Sequence, residues 1–333
     1  MADAAVVLGS LAQLHLRHVP NTYRLREPAG RAATENGGVE PPTVKGRWGI
    51  LCPGGDVPWA CDVETALSRA GIQTLRGGRL EEADEVAGLL CQWHSDAHML
   101  HQTRHFAAKA LALLQAAAQA NFAAPVVWVT RNAVNAGTDP VSGFGAAPVW
   151  GLARTARIQH PELCLRLIDL GQGGAAALVP ALNLEAEPEC AVRQGLVFVP
   201  RMQRVRSEPR PTPAPLLRRD GAVLITGGLG NIGQHVTRWL ARDHGIRDLV
   251  INSRRGMRAP GAEDLVKELS HLGARATIVS GNVGDLDSAQ AIIAMFHKDN
   301  RPLRGILHAA GLLDDGVISS LTPQRCNTVF APR

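Results

Sequence analysis

Residues 222–242 read as a strand, a glycine turn and a helix in immediate succession. Ala222-Val-Leu-Ile225 is an apolar run of the kind carried by a strand buried on both faces. Gly228, Gly230 and Gly233 follow at G-x-G-x-x-G spacing, and Val236, Trp239 and Leu240 then recur at helical intervals. At a strand-to-helix switch the three glycines serve a tight turn, close backbone approach to a pyrophosphate, and close helix–strand packing. The phosphates would rest on the helix N-terminus, where unbonded N–H groups and the macrodipole favour anions. This stretch predicts a dinucleotide-binding α/β unit.

The chain beyond it fits that prediction. Asp248 to Asn252 reads as a second strand and ends in Ser253-Arg254-Arg255-Gly256. The end of strand two meets the adenosine ribose in a dinucleotide fold, and an acidic residue there selects NAD. Two arginines and a serine suit a 2′-phosphate instead, by charge-assisted and bidentate hydrogen bonding, so NADPH is the expected cofactor. Pro260 to Leu272 reads as a helix, Ala276 to Val279 as a third strand and Ala289 to Phe296 as a helix. Gly305 to Leu307 reads as a fourth strand, running into His308-Ala309-Ala310-Gly311.

Residues 46–205 also alternate strands with helices, which predicts a second parallel sheet. Strands are expected at Trp48–Cys52, Ile72–Leu75, Val86–Trp93, Val126–Thr130, Leu163–Leu170 and Leu196–Val199, with helices at Val63–Ala70, Met99–Ala120 and Val149–Ile158. Its first turn carries no glycine fingerprint, so this half reads as scaffold. His94, His98, His101 and His105 fall at spacings of four, three and four, as on one helix face. They read as a polar face with no acidic pattern nearby to orient them, and no metal site is assigned. Residues 206–219 hold Pro209, Pro211, Pro213 and Pro215 at alternate positions, an extended connector. Residues 1–45, rich in glycine and proline between 21 and 43, read as a flexible N-terminal segment.

Composition removes several classes of function. A chain of 333 residues with 45% hydrophobic and 20% charged residues is that of a soluble globular protein of two domains. Net charge is +5, spread along the chain, and aromatics are only 4%, which argues against nucleic acid. No apolar run reaches about 18 residues, and no signal-peptide pattern opens the chain, so a cytoplasmic, non-membrane protein is expected. The six cysteines form no C-x-x-C pair, and four lie in or beside apolar runs, where they read as buried reduced thiols.

Taken together, Thr226 to Gly233, Ser253-Arg254-Arg255-Gly256, His308-Ala309-Ala310-Gly311 and Asp314-Asp315-Gly316 resemble the ketoreductase domain of modular polyketide and fatty acid synthases. That family belongs to the short-chain dehydrogenase/reductase fold. Val127-Trp128-Val129-Thr130-Arg131, Ala147 to Leu152, His160 to Leu163 and Val199-Pro200-Arg201 resemble its structural subdomain. The resemblance covers roughly residues 46–333. It implies an α/β protein of two Rossmann-like parallel-sheet subdomains. The second, residues 220–333, is incomplete at its C-terminus and leaves its fourth strand without the next neighbour.

The implied reaction is NADPH-dependent reduction of a β-ketoacyl thioester held on an acyl carrier protein, alongside other synthase domains. Cofactor contacts carry over to Gly228, Gly230, Ile232, Ser253, Arg254, Asn282, Val283, Ala309, Ala310 and Gly311. Leu313-Asp314-Asp315 matches the Leu-Asp-Asp signature of B-type members, which give the D-configured alcohol. Asn282-Val283 stands where the family commonly has Asp-Val, and Asn231 where many members have glycine. The family's catalytic lysine follows an Ala-Pro pair like Ala331-Pro332, where this chain has Arg333; the catalytic serine, tyrosine and asparagine lie further on in the family. The only tyrosine is Tyr23, so no catalytic residue carries over, and the chain as given is expected to be inactive. The alternative reading is a non-catalytic scaffold or docking fragment of a synthase.

Overall fold

The computed structural model describes residues 23–25, 46–53, 55, 58–77, 86–94, 99–137, 140–172, 174–201, 217–298 and 301–331. These form two compact units. The first takes in residues up to 201 together with Asp315–Cys326; the second takes in residues 217–314 and the chain from Asn327 onward. Both are α/β units built on parallel strands. The proline-bearing segment 206–216 lies outside the described residues.

The first unit contains β1 (Tyr23–Leu25), β2 (Arg47–Leu51), α1 (Pro58–Arg69), β3 (Gln73–Arg76), β4 (Gly88–Trp93), α2 (Met99–Gln119) and β5 (Val126–Arg131). It continues with α3 (Ala147–Gln159), β6 (Arg166–Leu170), α4 (Leu178–Leu182), β7 (Glu189–Arg193) and β8 (Leu196–Pro200). The sheet order is β1-β8-β7-β6-β5-β4-β2-β3, parallel from β3 to β7. β8 turns back antiparallel on β7 through Gln194-Gly195, both at positive φ, as a tight hairpin requires. Apolar residues cover both faces of the sheet. Trp93, Trp128 and Phe106 belong to one cluster, and Ile50, Leu90 and Ile168 to the other.

Several local expectations change. β7 is unpredicted because it starts and ends in charge, Glu189 and Arg193, yet every residue in it is buried. Arg193 donates to the Asp169 carboxylate at 2.5 Å, and Arg154 donates to Glu189 at 2.7 and 2.9 Å; Arg157 also donates to Glu189. Paired charges of this kind can be buried where lone ones cannot. β6 starts at Arg166 rather than Leu163, since Leu163 closes a 3-10 turn and Cys164 has φ 44°. Within the segment expected to be flexible, Tyr23–Leu25 pairs antiparallel with Phe198–Pro200. α2 starts at Met99, so His94 stands before the helix, and His98 lies outside the described residues. Only Cys91 and Cys190 of the six cysteines are buried, and burial pushes the Cys190 thiol up to about 12.

The second unit contains β9 (Ala222–Thr226), α5 (Asn231–Arg242), β10 (Asp248–Ser253), α6 (Ala262–His271), β11 (Arg275–Ser280), α7 (Leu286–Lys298) and β12 (Leu303–His308). Its sheet order is β11-β10-β9-β12, all parallel, the 3-2-1-4 sequence of a dinucleotide fold. Val223, Ile225, Leu249 and Ile251 face one apolar cluster, and Ala222, Leu224 and Val250 the other, so β9 is buried on both faces. β12 forms the sheet edge, and its Ile306 is 54% exposed. A last helix, α8 (Pro323–Phe330), begins in the first unit and ends in the second.

Candidate cofactor site

The site is built where β9 stops. Gly227 takes φ +65°, a left-handed conformation that a side chain disfavours, and a Cβ there would lie 2.7 Å from the Ala309 carbonyl oxygen and the Ala310 amide nitrogen. The glycine turn and the segment after β12 are therefore in backbone-to-backbone contact. The Ala309 amide donates to the Thr226 carbonyl at 3.0 Å, and Thr226 Oγ1 shares a 2.7 Å hydrogen bond with His308 Nδ1.

Gly228 serves packing. Its amide donates to the Asn252 carbonyl at 3.0 Å, and a Cβ would come within 2.6 Å of Ile251 Cγ2. Gly230 is the N-cap of α5, in extended conformation and with no side-chain cap. The first turn of that helix therefore offers its N–H groups with no side chain competing for them. Gly233 faces back into the turn, where a Cβ would lie 2.6 Å from Gly228 Cα.

The other walls come from the ends of β10 and β11. Asn252, 2% exposed, donates through Nδ2 to the Gly281 carbonyl at 3.1 Å, holding the two strand ends together. Ser253 Oγ accepts the Arg255 amide at 3.3 Å and shapes the turn that presents Arg254 and Arg255 to solvent. Neither arginine has an ion-pair partner among the described residues. Asn282 Oδ1 accepts the Gly284 amide at 3.2 Å in a local turn.

These segments enclose a cleft of about 400 Å³ within the second unit. Of the residues expected from sequence, it is lined by Gly230, Ser253, Arg254, Asn282, Val283, Ala309, Ala310 and Gly311. Gly228 and Ile232 do not line it, and Ile232 is 63% exposed. Gly227, Asn252, Arg255, Gly281 and Leu312 line it as well, beyond those expected. Asn252 had a legible signal, a polar residue closing an otherwise apolar strand. Gly227 had none, because its role comes from the approach of residues 309 and 310. Leu313, 89% exposed, Asp314 and Asp315 lie just beyond Leu312 and outside the cleft lining.

Two family models match the chain. Residues 33–202, about half of it, match the Rossmann fold domain of the polyketide synthase extender module SpnB, and residues 221–333 match the KR domain. The chain belongs to the ketoreductase domains of polyketide synthases. Such domains are NAD(P)-dependent reductases with a Rossmann fold.

Among known proteins, the ketoreductase chain is 47% identical over 297 residues to the PKS-NRPS hybrid synthetase acdB of Aspergillus candidus, covering 87% of this chain and 12% of that one. It is 40% identical over 232 residues to the spectinabilin polyketide synthase system protein NorA′ of Streptomyces orinoci, covering 69% and 6%. A solved C2-type ketoreductase from a modular polyketide synthase superposes with TM-score 0.73 at 27% identity, covering 87% of this chain and 66% of that one. The ketoreductase from the first module of phoslactomycin biosynthesis in Streptomyces sp. HK803 gives 0.70 at 29%, covering 93% and 66%. This chain thus spans a small part of the synthases and about two-thirds of the solved ketoreductases.

Proposed function

We propose that this ketoreductase chain supplies the scaffold domain and the cofactor-binding half of an NADPH-dependent β-ketoacyl reductase. Its substrate would be a thioester carried by an acyl carrier protein within a synthase. The observation that carries the reading is the single cleft lined by Gly227, Gly230, Ser253, Arg254, Asn282 and Ala309 to Gly311.

The donor set fits a phosphorylated dinucleotide. The uncapped start of α5 suits a pyrophosphate. Arg254, with Arg255 beside it, suits a 2′-phosphate, which an acidic residue would repel. Asn282 Oδ1 accepts one hydrogen bond from Gly284 and keeps a second lone pair for an adenine amino group. Val283, Ala309 and Ala310 supply apolar and backbone wall. When bound, NADPH supplies the hydride.

Leu313, Asp314 and Asp315 are assigned to orienting the substrate for the D-configured alcohol. Reduction also needs a proton at the carbonyl oxygen. Tyr23, the only tyrosine, lies in β1 of the first unit. None of the 333 residues is therefore assigned as proton donor. We expect the chain alone to bind NADPH without turning over a ketone. The test is titration of residues 1–333 with NADPH and NADH by nicotinamide fluorescence, with NADPH oxidation followed in the presence of a β-ketoacyl thioester. Preferential NADPH binding at blank-level oxidation is expected. No binding of either nucleotide would overturn the cofactor reading, and clear turnover would mean that another residue acts as the acid.

A further inference from the structure

Strands β4, β5 and β6 lie side by side and parallel in the first unit, so their carboxyl ends share one edge of its sheet. In open α/β sheets ligands bind outside that edge. A cavity of about 260 Å³ sits there. On its wall, Trp93 ends β4, Arg131 ends β5 with Asn132 next to it, and Gln172 follows β6. Phe106 of α2 and Ser142 line it too, and all six residues belong to the first unit.

The backbone of this wall is constrained. Asn132 takes φ 48°, a left-handed conformation that asparagine tolerates better than most residues. Three backbone hydrogen bonds hold it there. Its amide donates to the Leu170 carbonyl at 3.0 Å, and its carbonyl accepts the amides of Ser142 at 3.0 Å and Gly143 at 2.8 Å. A Cβ on Gly143 would collide with the Arg131 carbonyl oxygen, so the returning loop rests directly on the end of β5. Strain that the surroundings over-determine in this way clusters at binding and catalytic sites.

The wall also carries unspent polar groups. The Arg131 side chain has no hydrogen-bond or ion-pair partner among the described residues. Asn132 Oδ1 and Trp93 Nε1 are buried without a partner among them, on residues 8% and 0% exposed. Buried polar atoms are ordinarily hydrogen-bonded, and each exception calls for a cause. No carboxylate is among the described residues that line the cavity. One guanidinium offset by no acid balances a single negative charge, and its planar fork matches the two oxygens of a carboxylate. Trp93 and Phe106, edge to face at 5.8 Å, add an aromatic surface. The volume, below that of most drug-sized sites, restricts the ligand to a small molecule.

We propose that this cavity of the scaffold unit binds a small monocarboxylate, with Arg131 as its anion partner. The inference concerns the first unit alone and does not rest on the proposed function.

The full 1–333 chain tests it, with benzoate as the probe. Isothermal titration reads the affinity. The indole N–H resonances of nitrogen-labelled tryptophan read the location, Trp93 being one of six and assigned by its Overhauser contacts to Phe106. Benzoate is expected to bind saturably and to shift the Trp93 resonance. Arg131→Leu should weaken it about tenfold or more, Arg131→Lys less, and benzamide, uncharged and of the same shape, should bind about tenfold or more weakly than benzoate. Gln172→Glu places a like charge on the exposed rim and should weaken benzoate about threefold or more. Inorganic phosphate at equal concentration should not displace it. Absence of saturable binding, a saturable shift that spares Trp93, or equal affinity in Arg131→Leu would overturn the site. Benzamide matching benzoate, or phosphate displacing it, would overturn the carboxylate class. Should Arg131→Leu fail to fold, Gln172→Glu decides, and unchanged affinity there overturns the proposal.

Discussion

Gly233, in the first turn of α5, faces Gly227 so closely that a Cβ at position 233 would lie 2.2 Å from the Gly227 carbonyl oxygen. Both partners are backbone, so neither can swing aside. Gly233→Ala must push the helix off the turn, an overpacking cost of about 1–3 kcal/mol. Chemical denaturation should show a lowered midpoint, and NADPH titration a weakened affinity. Gly311→Ala is the control, since nothing lies within 4 Å of a Cβ there, and it should leave stability unchanged.

Cofactor choice is expected to rest on Arg254. It lines the cleft at the end of β10, exposed and without an ion-pair partner among the described residues. Removing one charge-assisted contact to a phosphate costs about 1.5–3 kcal/mol, roughly ten- to a hundredfold in affinity. Arg254→Ala should therefore lose most of the preference for NADPH over NADH, measured by parallel titrations. Equal affinities in the unmutated chain would contradict the assignment.

Stability at acid pH should depend on Glu189. Burial alone raises its carboxyl, but the hydrogen bonds and charges of Arg154 and Arg157 outweigh that and hold it below its ordinary value of 4.5. A depressed carboxylate contributes stability that is present above about pH 4.5 and is lost as pH falls through the folded-state value. Glu189→Gln should lower stability near neutrality, where charge-assisted bonds are worth about 1.5–3 kcal/mol each. It should also flatten the acid limb of the stability–pH profile below about pH 4.5, read by urea unfolding at a series of pH values.

The product of the synthase that carries this domain is expected to be the D-configured β-hydroxyacyl thioester, from Leu313-Asp314-Asp315. Chiral chromatography of the released acid measures it. A dominant L-alcohol would refute the assignment of those three residues to substrate orientation.

The second unit was legible in the sequence because its strands are apolar runs and its turn is marked by glycines, both local signals. Ala222–Thr226, the glycine turn and the arginines after Asn252 needed nothing from elsewhere to be read. β7 was not legible, because Glu189 and Arg193 are charged and only their partners Arg154, Arg157 and Asp169, distant in sequence, make their burial tolerable. The cleft was legible in its glycines and arginines but not in Gly227 or Leu312, which line it only because residues 309–312 return alongside the turn. Gly228 carries the fingerprint spacing, yet its amide is already engaged by Asn252.

Residues Asp315–Cys326 belong to the scaffold unit, where buried Ile318 donates its amide to Gln159 Oε1 and accepts from Gln115 Nε2 at its carbonyl, and this loop bears on how such domains can be recombined. A chimera that takes the nucleotide-binding half from one synthase, joined in the proline-bearing segment, would carry a foreign isoleucine and foreign loop carbonyls into the recipient's scaffold. A recipient lacking glutamines at the positions of Gln115 and Gln159 would receive a loop whose amide and carbonyls find no partner. Swaps that exchange residues 315–326 along with the scaffold would keep that seat intact. The compact units of this polypeptide are therefore not contiguous in sequence, and exchanging them whole calls for three crossovers rather than one.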